Sequence, residues 1–267
     1  MTKFLTPIAA AMLVALSVPA SAAGVFPEFA VNETVVPGAN IAGGANANLV
    51  ADKLNGSYIE RLTVTGPGTF AAQAVANFSS FVADDGKNPV QSLLGSLNVF
   101  GGYRIYAIFN ASGAITGPNA FQSTNNSFSL FLDPNQNSAF TLTDGLTAPT
   151  LTTAGTDVDD ILLATAGPNL TFGTGNLTGP PGAFNIDWSN FALTAFGSTY
   201  FISPNPFFLG VRVNGDYDIV VDTPIGFTQE IVGDVSAQFR VVPEPGSLAL
   251  AGLALLGLGL VRRNKKA

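Results

Sequence analysis

Glycine and proline punctuate this chain so often, 29 and 17 times, that few stretches between its two ends can run as a helix. Between the interruptions lie short apolar runs, many of them alternating with polar residues, as half-buried strands do. Tyr58–Val64 is such a run and is followed by the turn Gly66-Pro67-Gly68; Tyr103–Phe109 is another, ahead of Asn110-Ala111-Ser112-Gly113. Further strands are predicted at 128–132, 139–142, 161–165, 183–188, 191–196, 207–213, 217–221 and 235–242. Short strands with turn punctuation predict an all-β body over residues 23–242, a single β-sandwich or Greek-key-like fold.

Two hairpins can be set in register. A three-residue loop Asn214–Asp216 pairs Val213 with Tyr217, Val211 with Ile219 and Leu209 with Val221, and sets Arg212 opposite Asp218. In the same way, Leu130 and Leu132 set against Leu142 and Phe140 make Asp133–Asn137 the connecting turn.

The ends are of another kind. Residues 1–22 carry Lys3, an uncharged apolar stretch from Phe4 to Val18, and a close at Pro19-Ala20-Ser21-Ala22. Small residues at Ala20 and Ala22 suit a signal peptidase, so this segment is predicted to be a cleaved signal helix. At the other end, Pro243-Glu244-Pro245 precedes the uncharged run Ser247–Val261 and then Arg262-Arg263-Asn264-Lys265-Lys266. As a helix that run spans roughly 22 Å, short of a hydrocarbon core of about 30 Å. The basic cluster is expected on the cytoplasmic side and the body outside, with the membrane engaged only through the termini during sorting.

The order Pro243-Glu244-Pro245, apolar helix, Arg262-Arg263 resembles the C-terminal sorting signal of PEP-CTERM proteins of exported bacterial type. The resemblance covers residues 243–267 and implies recognition by an exosortase, which removes the tail near Pro-Glu-Pro and then releases or re-attaches the body. The reacting thiol would belong to that partner. Tyr58-Ile59-Glu60, Gly66–Phe70 and the turn at Asp133 are similar to the flocculation-associated subgroup, which implies a surface or matrix role in trapping cells within extracellular polysaccharide.

The positive mean hydropathy of +0.35 comes largely from the two ends. The body holds six basic and seventeen acidic residues, a net charge of −11 against −7 for the whole chain. So acidic a surface argues against nucleic-acid or anionic-lipid partners. The chain has no His and no Cys, which excludes His-based triads, thiol nucleophiles and disulfides and removes the usual zinc ligands. No catalytic or metal residue and no cofactor is therefore assigned, and the protein is expected not to be an enzyme. Carboxylate pairs remain conceivable for glycoside hydrolysis, with Asp84-Asp85 and Asp187 as candidates that read more simply as a surface turn and a strand-end acid. Asp157-Val158-Asp159-Asp160, and Asn214 with Asp216 and Asp218, offer oxygens to calcium without matching an EF-hand loop.

Of 27 aromatic residues, 21 are Phe, a composition suited to core packing rather than to sugar stacking. Trp188 and Tyr200 are the candidate sugar contacts for the alternative reading as a carbohydrate-binding module.

Overall fold

The computed structural model describes residues 26–40, 44–117, 120–142, 151–154, 159–167, 171–176, 182–217 and 228–240. Among the described residues sixteen strands follow one another: β1 Phe29–Val31, β2 Leu49–Ala51, β3 Lys53–Gly66, β4 Thr69–Ala83, β5 Asn88–Val90, β6 Arg104–Gly117, β7 Ala120–Asp133, β8 Ala139–Leu142, β9 Leu151–Ala154, β10 Ile161–Ala166, β11 Thr171–Asn176, β12 Gly182–Ser189, β13 Ala192–Leu193, β14 Phe201–Ser203, β15 Gly210–Tyr217 and β16 Thr228–Arg240. The all-β expectation holds. Among the described residues no helix is long and apolar enough to cross a membrane. The expected signal helix and C-terminal helix lie outside the described residues.

One sheet dominates, and it curls. Its pairs run β11-β12-β15-β16-β3-β4-β6-β7, and the start of β7 then pairs back onto β11 through Ser123↔Thr171 to Ala120↔Thr174. Eight antiparallel strands thus form a closed ring, and its neighbours follow one another in sequence apart from β16 returning to β3. This is an up-and-down barrel, a single closed sheet in place of two facing layers or a Greek key. The far half of β7 pairs with β10 instead, and β10 carries β13. Strands β3, β4, β6 and β7 have 14 or 15 residues each, about 45 Å of extended chain. A small sheet, β14-β1-β2, sits at one end.

Inward positions follow the pleat, because directly paired residues share a face. One inward row reads Gly233, Tyr58, Ala76, Ala107, Leu130, and the next reads Ile231, Glu60, Ala74, Phe109, Phe128. On the other wall Phe184, Ile186 and Trp188 oppose Gly215, Val213 and Val211. The apolar side chains among these join most of the described core in one cluster, which Phe29 of β1 and Phe201 of β14 cap at the end where β16 finishes.

Several expectations need correction. Strand β4 was not foreseen: its inward alanines, Ala72, Ala74 and Ala76, give little strand signal, yet small residues fit beside Tyr58 and Phe109. The run Asn110–Gly113 is not a turn, and β6 continues through it to Gly117. At Gly113 a Cβ would lie 2.0 Å from the Gln122 carbonyl oxygen, so glycine there serves close strand approach.

The Asn214–Asp216 loop is overturned too. Strand β15 runs through it, with Val213 opposite Ala237 and Arg212 opposite Gln238 and Asp187. A Cβ on Gly215 would lie 2.6 Å from the Asp234 carbonyl oxygen and 2.8 Å from the Phe184 ring, so this glycine serves close strand approach beside an inward ring and does not bend the chain. The Asp133–Asn137 segment does turn, but Leu130 and Leu132 pair with Ala164 and Ile161 of β10, while β8 pairs with β9. Residues 191–196 hold only the two-residue β13, followed by a single helical turn at Gly197–Tyr200.

Candidate functional site

The sorting residues Pro243, Glu244, Pro245, Arg262 and Arg263, and the signal-cleavage residues Ala20 and Ala22, lie outside the described residues. Asp157 and Asp218 do as well.

The structure corrects both sugar-contact candidates. Trp188 is 2% exposed and lies inside the barrel against Phe109 and Phe128, with centroids 6.0 and 5.3 Å away. Its indole N–H meets no hydrogen-bond partner among the described residues. Tyr200 is fully buried, and its hydroxyl lies 2.6 Å from that of Tyr103, which donates to Glu33 Oε1 at 3.1 Å. Glu33 also accepts the Leu93 and Asn46 backbone N–H groups, so this carboxylate ties three loops together. Burial raises the pKa of both tyrosines well above the usual phenol range. Neither ring presents a face to a sugar.

The carboxylate candidates have structural employment. Asp84 and Asp85 both adopt positive φ in a turn, with Asp84 accepting from the Asn88 amide. Asp187 accepts two hydrogen bonds from Arg212, Nε to Oδ1 and a terminal nitrogen to Oδ2, each 2.8 Å, and another from Arg240. Partial burial pushes its pKa up, but the two arginines outweigh that and hold it below the ordinary carboxylate value. Such a group is a poor proton donor at neutral pH.

Part of the predicted calcium set gathers with a residue not proposed for it. Asp159 and Asp160 approach Asp133, and the three place carboxylate oxygens within 4.8 Å of one another. Asp133 is fully buried and accepts the backbone N–H groups of Asn135, Asn137 and Ser138, and this closes the turn after β7. Asp160 accepts from the Tyr106 hydroxyl at 2.5 Å and from Ser138 Oγ at 2.6 Å. Burial raises its pKa, and the charges of Asp133 and Asp159 add to that against the effect of those two hydrogen bonds. Asp159 receives the side-chain amides of Asn135 and Asn137. Three converging carboxylates suit a hard cation in chemical type; each accepts hydrogen bonds from its surroundings, while Asp160 Oδ1 is buried and meets no partner among the described residues. As arranged, the cluster closes a turn. Asn214 and Asp216 are strand residues whose oxygens accept from Gln238 and from the Asp234 N–H.

Sequence reasoning named Glu60 only within the subgroup resemblance and gave it no role in a site. Its side chain shares the inward face with Tyr58 and Leu62, between Ala74 of β4 and Ile231 of β16. It is partly buried, and burial pushes its pKa up to about 7. A charge on the apolar parity of Tyr58 and Leu62 was a usable signal, though only barrel closure gives that parity an inside.

No curated protein and no solved structure matches the chain. Residues 241–263 match the family model described as the PEP-CTERM protein-sorting motif, so the chain carries the C-terminal signal of an exosortase substrate.

Proposed function

We propose that this is an exported, non-enzymatic protein of the cell surface or extracellular matrix, processed by an exosortase near Pro243-Glu244-Pro245, whose body supports floc or biofilm cohesion with extracellular polysaccharide. The observation that carries the reading is the sorting motif at residues 241–263, directly after the last barrel strand. The acidic body fits a matrix component that meets neutral or cation-bridged polymer, and the engaged carboxylates Asp84 and Asp187 give no support to a hydrolase.

The decisive measurement is the intact mass and location of the protein in cells with and without the sorting protease. The expected mature form lacks residues 1–22 and the apolar-basic tail, and in protease-deficient cells it keeps the tail and stays with the membrane. Unchanged mass in the two strains removes the processing step. Gene deletion that leaves cell aggregation unaltered removes the cohesion role.

A further inference from the structure

Exposed apolar side chains are concentrated at one end of the barrel. Among the described residues eight large ones stand exposed, and six of them, Val50, Leu97, Val99, Phe100, Ile202 and Leu209, belong to the end where β16 finishes. Strand pairing places them there. Ala237↔Leu54, Lys53↔Val82 and Phe78↔Ile105 bring the end of β16 beside the start of β3, the end of β4 and the start of β6. Leu97, Val99 and Phe100 lie in the loop that enters β6, and Leu209 immediately precedes the Gly210↔Arg240 pair. Val50 and Ile202 are on the small sheet β14-β1-β2. The other two are Ile115, near the β6–β7 turn at the far end, and Val232 on the outer wall.

The exposure is built into an ordered loop. Leu97 O accepts the N–H groups of Phe100 and Gly102, and Asn98 O accepts that of Gly101. Asn98 Nδ2 donates to Asn135 O and Gln136 Nε2 to Ser96 O, which ties the loop to the turn after β7. A Cβ on Gly102 would lie 2.1 Å from the Ser96 carbonyl oxygen, so the chain closes tightly on itself there. Val99 is nevertheless 83% exposed. The stretches 34–51, 91–103 and 188–211, which build much of this end, hold no charged residue, although the body carries a net charge of −11.

Only six residues, 241–246, separate Arg240 from the uncharged run Ser247–Val261, a reach of about 20 Å at full extension. With that run in a membrane, the end of the barrel bearing these side chains is held within that distance of the hydrocarbon, and headgroups fill part of it. We propose that this end docks on the lipid surface while the tail is in place, with Leu97, Val99, Phe100 and Leu209 in the interfacial layer. The proposal rests on the sorting function above, because the tail is what brings this end to the membrane. Exposed apolar side chains gain by leaving water there. Zwitterionic lipid is the partner, since Asp84, Asp85, Asp159 and Asp187 also lie toward this end and give anionic headgroups no attraction. Polysaccharide fits poorly, because these side chains offer no hydrogen-bonding group. Membrane contact then extends beyond the termini, and docking sets Pro243-Glu244-Pro245 within reach of a protease in the same membrane.

The chain has no cysteine, so one introduced thiol carries an environment-sensitive fluorophore at a chosen site. The test reconstitutes the full chain, tail retained, in phosphatidylcholine vesicles and reads quenching by lipid brominated in its acyl chains. Labels are placed at Val99→Cys, at Leu255→Cys in the tail, and at Ile115→Cys, about 35 Å of strand from the start of β6. Strong quenching is expected at 255, and quenching at 99 at least threefold above that at 115, with no increase when phosphatidylglycerol is added. Leu97→Ser with Phe100→Ser, both at exposed positions, should lower quenching at 99 at least threefold and leave that at 255 unchanged. Equal quenching at 99 and 115 beside a quenched 255 label overturns docking and spares the sorting reading; an unquenched 255 label overturns both. Quenching at 99 that survives the two serines assigns the contact to the dye and overturns the proposal. A blue shift at 99 without lipid quenching also overturns it, because a second copy of the chain then covers the patch.

Discussion

At one end of the barrel Phe29, Phe201, Phe207 and Phe239 lie with centroids 4.9–6.0 Å apart; at the other a single ring pair, Phe70 and Phe121 at 5.8 Å, packs with Leu62 beside Ala72 and Ala111. Several strands serve both ends. Strand β4 offers Phe78 and Phe81 to the first and Phe70 and Ala72 to the second. The ladders are the same in kind, so the two ends differ in the size and number of the rings they bury. Stability and accessibility can thus be assigned to different ends of a single sheet.

The sharpest way to break this contrast is to remove rings from each end. Phe239→Ala is expected to cost about 4 kcal/mol in urea unfolding and Phe70→Ala about half of that, because Phe70 packs in a small cluster and Phe239 in the large one. Equal costs would mean that the two ends are packed alike.

Next in size is Glu60→Gln. The folded carboxyl titrates near 7 against an ordinary 4.5, so ionising it inside the barrel is uphill and native stability falls as pH rises across that window. The Gln variant should be about 3 kcal/mol more stable than wild type at pH 8, with no such gain at pH 4. Stability curves that run parallel at both pH values would place Glu60 in bulk-like water.

Carboxylates outside the barrel should respond in the opposite direction. Asp133→Ala orphans three backbone N–H groups in a buried turn and should cost about 2 kcal/mol at neutral pH. Asp187→Asn loosens the Arg212 and Arg240 contacts at a half-exposed site, and a loss of about 1 kcal/mol that shrinks in high salt is expected. Because the Asp187 pKa is lowered, its contribution is present above the ordinary carboxylate value and is lost as pH falls through the folded one.

Strands carrying aromatic and β-branched residues were legible from sequence: Ala139–Leu142 matches β8, and 161–165 lies within β10. Strand β4 was not, since alanine carries no strand preference and was chosen here by the rings beside it. Asn214-Gly215 has the composition of a hairpin turn, but pairing with β12 and β16 holds it extended, with the Asp234 carbonyl and the Phe184 ring close by, and only tertiary structure brings these together. The same limit hid Glu60, because alternation shows which residues share a face and not which face is inside. Trp188 and Tyr200 attracted attention as amphipathic rings, yet barrel closure around one and the Glu33 network around the other removed both from the surface.

The position of β16 has a consequence for timing. This strand ends at Arg240, one residue before the sorting motif, and it joins β15 to β3 through pairs such as Ala237↔Leu54 and Thr228↔Thr63, which lie 183 and 165 residues apart in sequence. The ring cannot be completed until nearly all of the body is available, which makes closure a slow, late event dominated by distant contacts. A chain whose barrel closes last beside its own sorting signal couples the two: any hold on the tail near residue 241 acts on the strand that finishes the fold.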